Sequence, residues 1–233
     1  MTHIQIAIDG PSGAGKSTLS RAVARALGIH YVDTGALYRT VGYFAHAAGI
    51  VLDENQEDIK RLVPLLKDMT VEVRYEGDVQ YVLLNGEDLG DRIRAEHISQ
   101  YASVASALPE VRAFLLDTQK NIARTYSVIM DGRDIGTVIL PDAQVKIFLD
   151  APYEVRARRR VAEQLARGNH VVYEDVLADM IRRDENDRNR KVAPAVAAPD
   201  AIHFENSYET FEEAEAALLA LIRSTLAEKG ITV

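Results

Sequence analysis

The sequence predicts an α/β fold in which parallel-type strands alternate with amphipathic helices. Three observations carry that expectation. Residues 4–9 form a short apolar strand that runs into a Gly-rich turn and then a helix. Residues 127–131 and 145–150 are two further buried-type strands, each with polar residues at its C-terminal end. Between residues 69 and 89 the hydrophobic period changes to strict alternation, which marks an antiparallel meander inserted among the α/β units.

The first segment is the most informative. Gly10-Pro11-Ser12-Gly13-Ala14-Gly15-Lys16-Ser17-Thr18 fits G-x-x-x-x-G-K-[ST] between a strand and a helix with Leu19, Val23, Ala26 and Leu27 on one side. At ordinary residue usage its fixed positions match by chance in roughly 1% of chains this long. The glycines let backbone N–H groups curl around a phosphate, and the new helix adds its unpaired N–H groups and positive dipole end. Lys16 is expected to reach the terminal phosphates of a nucleoside triphosphate and the Ser17 hydroxyl to ligate Mg²⁺.

The first helix ends at Gly28, and residues 31–33 form a short second strand. Thr34 is a candidate cap for a helix continuing through Val41, Phe44 and Ala45. Arg39 then lies one turn inside that helix, near the strand C-terminal edge where ligands collect in open parallel sheets; a solvated helix charge is the equal alternative. Gly49 breaks the helix, and residues 54–67 give another helical stretch.

In the meander, Met69, Val71, Val73 and Tyr75 alternate, Glu76-Gly77-Asp78 turns, and Val79, Tyr81 and Leu83 alternate again before Asn85-Gly86, a strong hairpin turn. The gap from residue 33 to residue 127 far exceeds what a βα crossover needs, so an inserted subdomain is expected. An insertion at the ligand edge grips or covers a ligand, or is decoration. Helices follow at about 95–107 and 109–124, the latter opened by Pro109.

Beyond the 145–150 strand a helix carries Arg156, Arg158, Arg159 and Arg160. Arginine runs commonly coat a solvated face, yet such a helix in a phosphate-loop protein also resembles a closing lid. On the next helix Val176, Met180, Arg183, Asp187 and Arg190 share one face, which passes from apolar to charged. That face either emerges from the core or points into a polar pocket. Residues 193–199 are a Pro/Ala-rich loop, 201–204 a last strand, and Phe211, Leu218, Leu221, Ile222 and Leu226 mark a closing helix.

Composition narrows the function classes. The chain has 233 residues, 47% hydrophobic and 27% charged, with a formal net charge of −8 and no cysteine. The charge argues against a general nucleic-acid or anionic-membrane binder, so an anionic ligand must be held by local arginines. Absent cysteines exclude a disulfide framework and Cys-ligated metals. The six histidines show no ligand spacing. Without a signal-type leader or a long apolar run, a cytoplasmic protein is expected.

Four motifs together resemble the bacterial cytidylate kinases: the loop at 10–17, Asp33-Thr34-Gly35-Ala36-Leu37-Tyr38-Arg39, Asp131-Gly132-Arg133-Asp134-Ile135-Gly136-Thr137-Val138, and residues 183–190. The first motif is shared by many NTPases, whereas the second and third together are specific; the likeness spans essentially the whole chain. The resemblance implies a P-loop three-layer fold with a five-stranded parallel core sheet over 1–66, 103–152 and 190–233. It adds a monophosphate-binding insert over 67–102 and a short helical lid over 153–189. It implies that Arg39, Arg133 and Arg190 hold the acceptor phosphate. Arg112 and Asp134 would read cytosine with Thr34 nearby, and Ser103, Arg183 and Asp187 would line the sugar. Lys16, Arg133, Arg190 and Arg159 would form the catalytic set, with ATP as co-substrate, Mg²⁺ on Ser17, and CMP or dCMP as acceptor. A monomer without nucleic-acid or membrane partners is expected.

Physical chemistry agrees with that reading. Cytosine offers an amino donor beside two acceptors, which a carboxylate and a guanidinium can read together, while uracil sets an acceptor against Asp134. The acceptor monophosphate is already ionised near pH 7, so no general base is needed. Catalysis rests on in-line positioning and charge neutralisation, with closure excluding water. The competing readings are a UMP or shikimate-type kinase, a nucleotide-dependent switch and a catalytically silent nucleotide-binding module. The switch lacks an Asn-Lys-x-Asp motif here, and the intact Lys16, Ser17 and arginine set argue against the silent module.

Overall fold

Strands ending in Asp9, Asp33, Gly132 and Asp150 supply the parallel layer of the computed structural model, which describes residues 3–52, 56–207 and 210–232. In chain order the elements are β1 (Gln5–Asp9), α1 (Lys16–Leu27), β2 (His30–Asp33), α2 (Thr34–Ala47), α3 (Gln56–Leu65), β3 (Val71–Glu76), β4 (Val79–Leu84) and β5 (Glu87–Asp88). Then come α4 (Glu96–Ser106), α5 (Pro109–Thr125), β6 (Val128–Gly132), β7 (Val145–Asp150), α6 (Tyr153–Ala166), α7 (Tyr173–Asn189), β8 (Ile202–Glu205) and α8 (Phe211–Glu228). A π-helical turn spans Ile135–Ile139. The parallel sheet has five strands in the order β2-β6-β1-β7-β8, and β3-β4-β5 form a separate antiparallel sheet. No helix of the described residues is long and apolar enough to cross a membrane.

Backbone contacts divide the chain into two compact units. One, His30–Val128, holds β2, the meander and α2 to α5. Its core packs Leu37, Val41, Leu62, Ile98, Val111 and Leu115. The two strands and their turn are found where the alternation places them, but the face is corrected: Val71, Val73 and Tyr75 stand opposite Leu84, Val82 and Gln80, while Val79, Tyr81 and Leu83 stand opposite Glu76, Arg74 and Glu72. Val82 is the buried residue of β4, and Val79 is exposed. The predicted helix over 54–67 is α3 followed by a 3₁₀ turn at Leu66–Asp68; its first two residues lie outside the described residues.

A second expectation is corrected in this unit. Thr34 does not cap α2: it is the first helical residue, and Asp33 is the cap, with its Oδ1 accepting from the Ala36 N–H at 2.9 Å. Either residue type can cap; Asp33 is the one left in extended geometry at the end of β2.

The other unit, Ile4–Ile29 with Ile129–Val233, carries the remaining strands and α1, α6, α7 and α8. Ile6, Ile8, Ile147 and Leu149 are buried in the sheet, with Leu19 and Val23 of α1 and Leu218, Ile222 and Leu226 of α8 in the same core. Strands β1 and β7 pair in parallel, Ile6 beside Val145 and Asp9 beside Phe148. Thr210 and Glu213 close a reciprocal capping box at the start of α8.

Candidate active site

The phosphate loop is shaped by what the strand beside it leaves room for. Gly10 has φ 146°, and a Cβ there would stand 1.9 Å from the Leu149 carbonyl oxygen, so no other residue fits. The loop is held on three sides within its unit. Lys16 Nζ donates to the Pro11 carbonyl at 2.6 Å, Asn206 Nδ2 donates to the Ala14 carbonyl at 2.7 Å, and Arg156 Nη1 donates to the Ser12 carbonyl at 2.9 Å. Helix α1 begins at Lys16 on a left-handed Gly15, so its first N–H groups face the loop.

Lys16 is buried, and that burial, with the Arg133 guanidinium nearby, pulls its ammonium down to about 7; the carboxylates of Asp131, Asp9 and Asp184 oppose the shift. A lysine held this way gains from an incoming polyanion, which restores its charge. Ser17 Oγ donates to Asp131 Oδ2 at 2.7 Å. A hydroxyl and a strand-end carboxylate at this spacing are hard oxygen donors of the kind Mg²⁺ takes in phosphate-loop enzymes, so the residues present fit the ion. Among the described residues no group of three or more His, Asp or Glu side chains could hold a metal by itself.

A second cluster stands at the end of β6. Arg133 Nε donates to Asp187 Oδ2 at 3.0 Å, Arg190 Nη2 reaches Asp134 Oδ1 at 3.3 Å, and Arg190 Nη1 lies 3.9 Å from Asp187 Oδ1. Arg190 Nε also donates to the Ala193 carbonyl. Burial pushes the Asp187 carboxyl up, but Arg133, Arg183 and Arg190 outweigh it and hold the group below its ordinary value. The charged end of α7 thus turns into a polar cluster, in the same line as buried Met180 and Asp184. A pocket of about 420 Å³ runs past it, lined by Pro11, Arg133, Arg156, Asp184 and Asp187 among others.

The four arginines of α6 have separate fates. Arg156 is buried, donating to the Ala151 carbonyl at 2.8 Å and to Asp184 Oδ2 at 2.6 Å. Arg158 is exposed and Arg160 pairs with Glu163 at 3.0 Å. Arg159 is half-buried, and burial pulls its guanidinium down. Its Nη1 has no partner among the described residues and lies 3.9 Å from where a Cβ on Gly15 would stand.

Four of the expected substrate residues belong to the other unit. Arg39 Nη2 donates to Asp33 Oδ2 at 2.7 Å. Arg112 is buried, donates to the Ser106 carbonyl at 3.1 Å and has its guanidinium 5.7 Å from the Tyr38 ring centre. Thr34 is buried, and Ser103 is half-buried.

Sequence reasoning left several polar residues without a role. Asp9, buried under the sheet edge, accepts from the N–H groups of Ile135 and Gly136, both at 2.7 Å, and so fixes the turn after Arg133 and Asp134. Burial, chiefly, pushes its carboxyl up to about 6. Asp131, Asp184 and Asn206 are further examples. Asp131 opens the third quoted motif, whereas Asp184 and Asn206 offer only a polar side chain within an otherwise buried helix line or just past the end of a strand.

Comparison with known proteins gives one consistent result. The family model described as cytidylate kinase matches residues 6–224. A cytidylate kinase of Fervidobacterium nodosum is 45% identical over 221 residues, covering 95% of this chain and 97% of that one. A cytidylate kinase of Caldicellulosiruptor saccharolyticus is 43% identical over 213 residues, covering 91% and 92%. A solved structure of an uncharacterized protein from Eubacterium ventriosum shares the fold, with a TM-score of 0.51 at 14% identity, covering 95% of this chain and 99% of that one.

Proposed function

The chain belongs to the cytidylate kinase family, and from that premise we propose that it transfers the γ-phosphoryl group of ATP to CMP and dCMP, giving CDP or dCDP and ADP in pyrimidine nucleotide metabolism. It is a phosphotransferase. The observation that carries the reading is the buried Lys16 on its phosphate loop, with Arg133 close enough to shift it and Ser17 bonded to Asp131.

The chemistry asks little covalent work of the protein. The acceptor phosphate is ionised at neutral pH, so no side chain need remove a proton from it. Lys16 and the α1 N-terminus receive the donor phosphates, and Arg159 lies against the same loop to meet charge on the transferred group. Arg39, Arg133 and Arg190 hold the acceptor phosphate. Arg112 and Asp134 read the base with Thr34 nearby, and Ser103, Arg183 and Asp187 line the sugar. Ser17, with Asp131 adjacent, would hold Mg²⁺, which when bound would neutralise charge on the phosphate oxygens. Asp187 orients Arg133 and Arg190, an arrangement that costs no reorganisation during transfer.

The proposal includes the division into a core over 1–66, 103–152 and 190–233, an insert over 67–102 and a lid over 153–189. It also includes a cytoplasmic monomer that acts on small nucleotides, in keeping with the net charge of −8. A coupled ADP-release assay with CMP, dCMP, UMP and AMP as acceptors tests the function. The highest kcat/KM is expected with CMP and dCMP; turnover with UMP equal to that with CMP, or none with any of the four, overturns it.

A further inference from the structure

Strand β2 stands first in the order of the five-stranded sheet, at its edge. Side chains of the meander cover that edge. The Tyr75 hydroxyl donates to the Tyr31 carbonyl at 3.3 Å. The Asp33 N–H donates to Gln80 Oε1 at 2.7 Å, and Gln80 Nε2 donates back to the Asp33 carbonyl at 3.4 Å. One amide side chain therefore engages both backbone groups of a single residue, as a neighbouring strand would. Tyr75 and Gln80 are directly opposite each other across β3 and β4, so one cross-strand pair makes all three contacts.

Asp33 is where this clamp meets the site. Its Oδ1 caps α2 and its Oδ2 accepts from Arg39 Nη2 at 2.7 Å. The turn between them is tight: a Cβ on Gly35 would stand 3.0 Å from Arg39 Nη1 and 3.1 Å from Asp33 Oδ1. The Arg39–Asp33 pair is partly shielded, with side-chain exposures of 22% and 15%. Rotation of the Asp33 backbone therefore swings the carboxylate and, with it, the guanidinium.

We infer that Gln80 is a positioning residue for the acceptor phosphate: by clamping the Asp33 backbone it fixes the carboxylate that aims Arg39. The inference rests on the proposed role of Arg39 in acceptor binding, and it gives the meander a task beyond covering a strand edge. A guanidinium already aimed loses less freedom when phosphate arrives, so the clamp acts on binding of the phosphate and not of the base.

The test compares titration calorimetry with CMP and with cytidine, which lacks the phosphate, alongside steady-state KM values for CMP and ATP. Gln80→Met keeps most of the side-chain volume and loses both bonds. Its CMP affinity is expected to fall roughly tenfold, with KM for CMP rising in step, while cytidine affinity, KM for ATP and kcat stay within about twofold. Tyr75→Phe removes the neighbouring contact to Tyr31 without touching Asp33, and it should leave CMP affinity at the wild-type value. If Gln80→Met does not fold, Gln80→Leu, which is likewise uncharged and loses both bonds, is read in the same way. Unchanged CMP affinity, or equal losses for CMP and cytidine, overturns the inference. Arg39→Ala separates the two levels: if it leaves CMP affinity intact, the role of Arg39 fails, whereas a large loss there beside an unaffected Gln80 variant fails the clamp alone.

Discussion

Arg156 Nη1 and Asp184 Oδ2 meet at 2.6 Å with both side chains only 3% exposed, joining α6 to α7 beneath the phosphate loop. The same guanidinium holds the Ser12 and Ala151 carbonyls, so one buried cation ties two helices, a loop and a strand end together. Asp184 Oδ1 is buried without a partner among the described residues, which leaves the ion pair to carry the cost of burying that carboxylate.

Removing one member should therefore be costly. Asp184→Ala strands a buried guanidinium and is expected to destabilise the fold by about 3–5 kcal/mol, measured by urea unfolding. Replacing both, as Arg156→Met with Asp184→Leu, should recover most of that stability. Turnover should not recover with it, because Ser12 no longer has its donor. A double variant as active as the wild type would show that the pair serves packing alone.

Lys16 gives a prediction about protons. Its folded value of about 7 lies below the ordinary 10.5, so between those two pH values the unfolded chain binds the extra proton. Stability from this group is accordingly least below pH 7 and rises as pH climbs toward 10.5. ATP brings negative charge to the ammonium and reverses the shift, so binding at pH 8 should take up close to one proton. Calorimetry in buffers of different ionisation enthalpy measures that uptake. Lys16→Met should abolish it, lower turnover by on the order of 10²–10³, and stay folded. Equal uptake in wild type and variant would remove Lys16 as the source.

How much of this was legible beforehand depends on the distance along the chain between partners. The phosphate loop could be read because its residues stand at fixed offsets along the chain, Gly10 with a φ of 146° followed by Lys16 and Ser17; the Leu149 carbonyl that also excludes a side chain at position 10 comes from a distant strand and could not be read. The strands and turn of the meander could be read from alternation and Asn85-Gly86 for the same reason, but not the inward face of β4, which is that of Val82 and Leu84 and is set by pairing with β3. Asp9 could not, since its partners Ile135 and Gly136 are 126 and 127 residues away, and Ser17 finds Asp131 at a separation of 114. The Asp33–Thr34 cap failed by one residue because two adjacent cap-competent side chains compete, and the end of β2 decides between them. Gln80 lies on a strand whose alternation says only which residues face together, not that one of them grips another strand's backbone.

Asp9 should leave its mark on the stability profile. Its folded value of about 6 stands above the ordinary 3.8, burial being the chief cause. Between those values the folded chain holds the proton more tightly, so stability falls as pH rises from about 4 to about 6 and is level above that. The loss attributable to this group is roughly 3 kcal/mol. Unfolding free energies measured across pH 4 to 7 should show that decline in the wild type and a flatter curve in Asp9→Asn. Parallel curves would assign the titration elsewhere.

Asp134 decides whether the base is read by charge. It is buried, and its Oδ1 already accepts from Arg190 at 3.3 Å, so Asp134→Ala both removes a candidate partner for the cytosine amino group and loosens an arginine proposed to hold the acceptor phosphate. The second effect is blind to the base and should lower kcat/KM for CMP and UMP alike. The first is not: an acceptor-only carboxylate bonds the cytosine amino group and faces an acceptor on uracil, so its loss should narrow the CMP preference by about 1.5–3 kcal/mol. The ratio of kcat/KM values for the two acceptors therefore isolates base reading from the general loss. Asp134→Asn sharpens the comparison, because its amide keeps the shape of the carboxylate and can present a donor to uracil. A ratio that stays at the wild-type value in both variants would confine Asp134 to orienting Arg190, whatever the fall in activity.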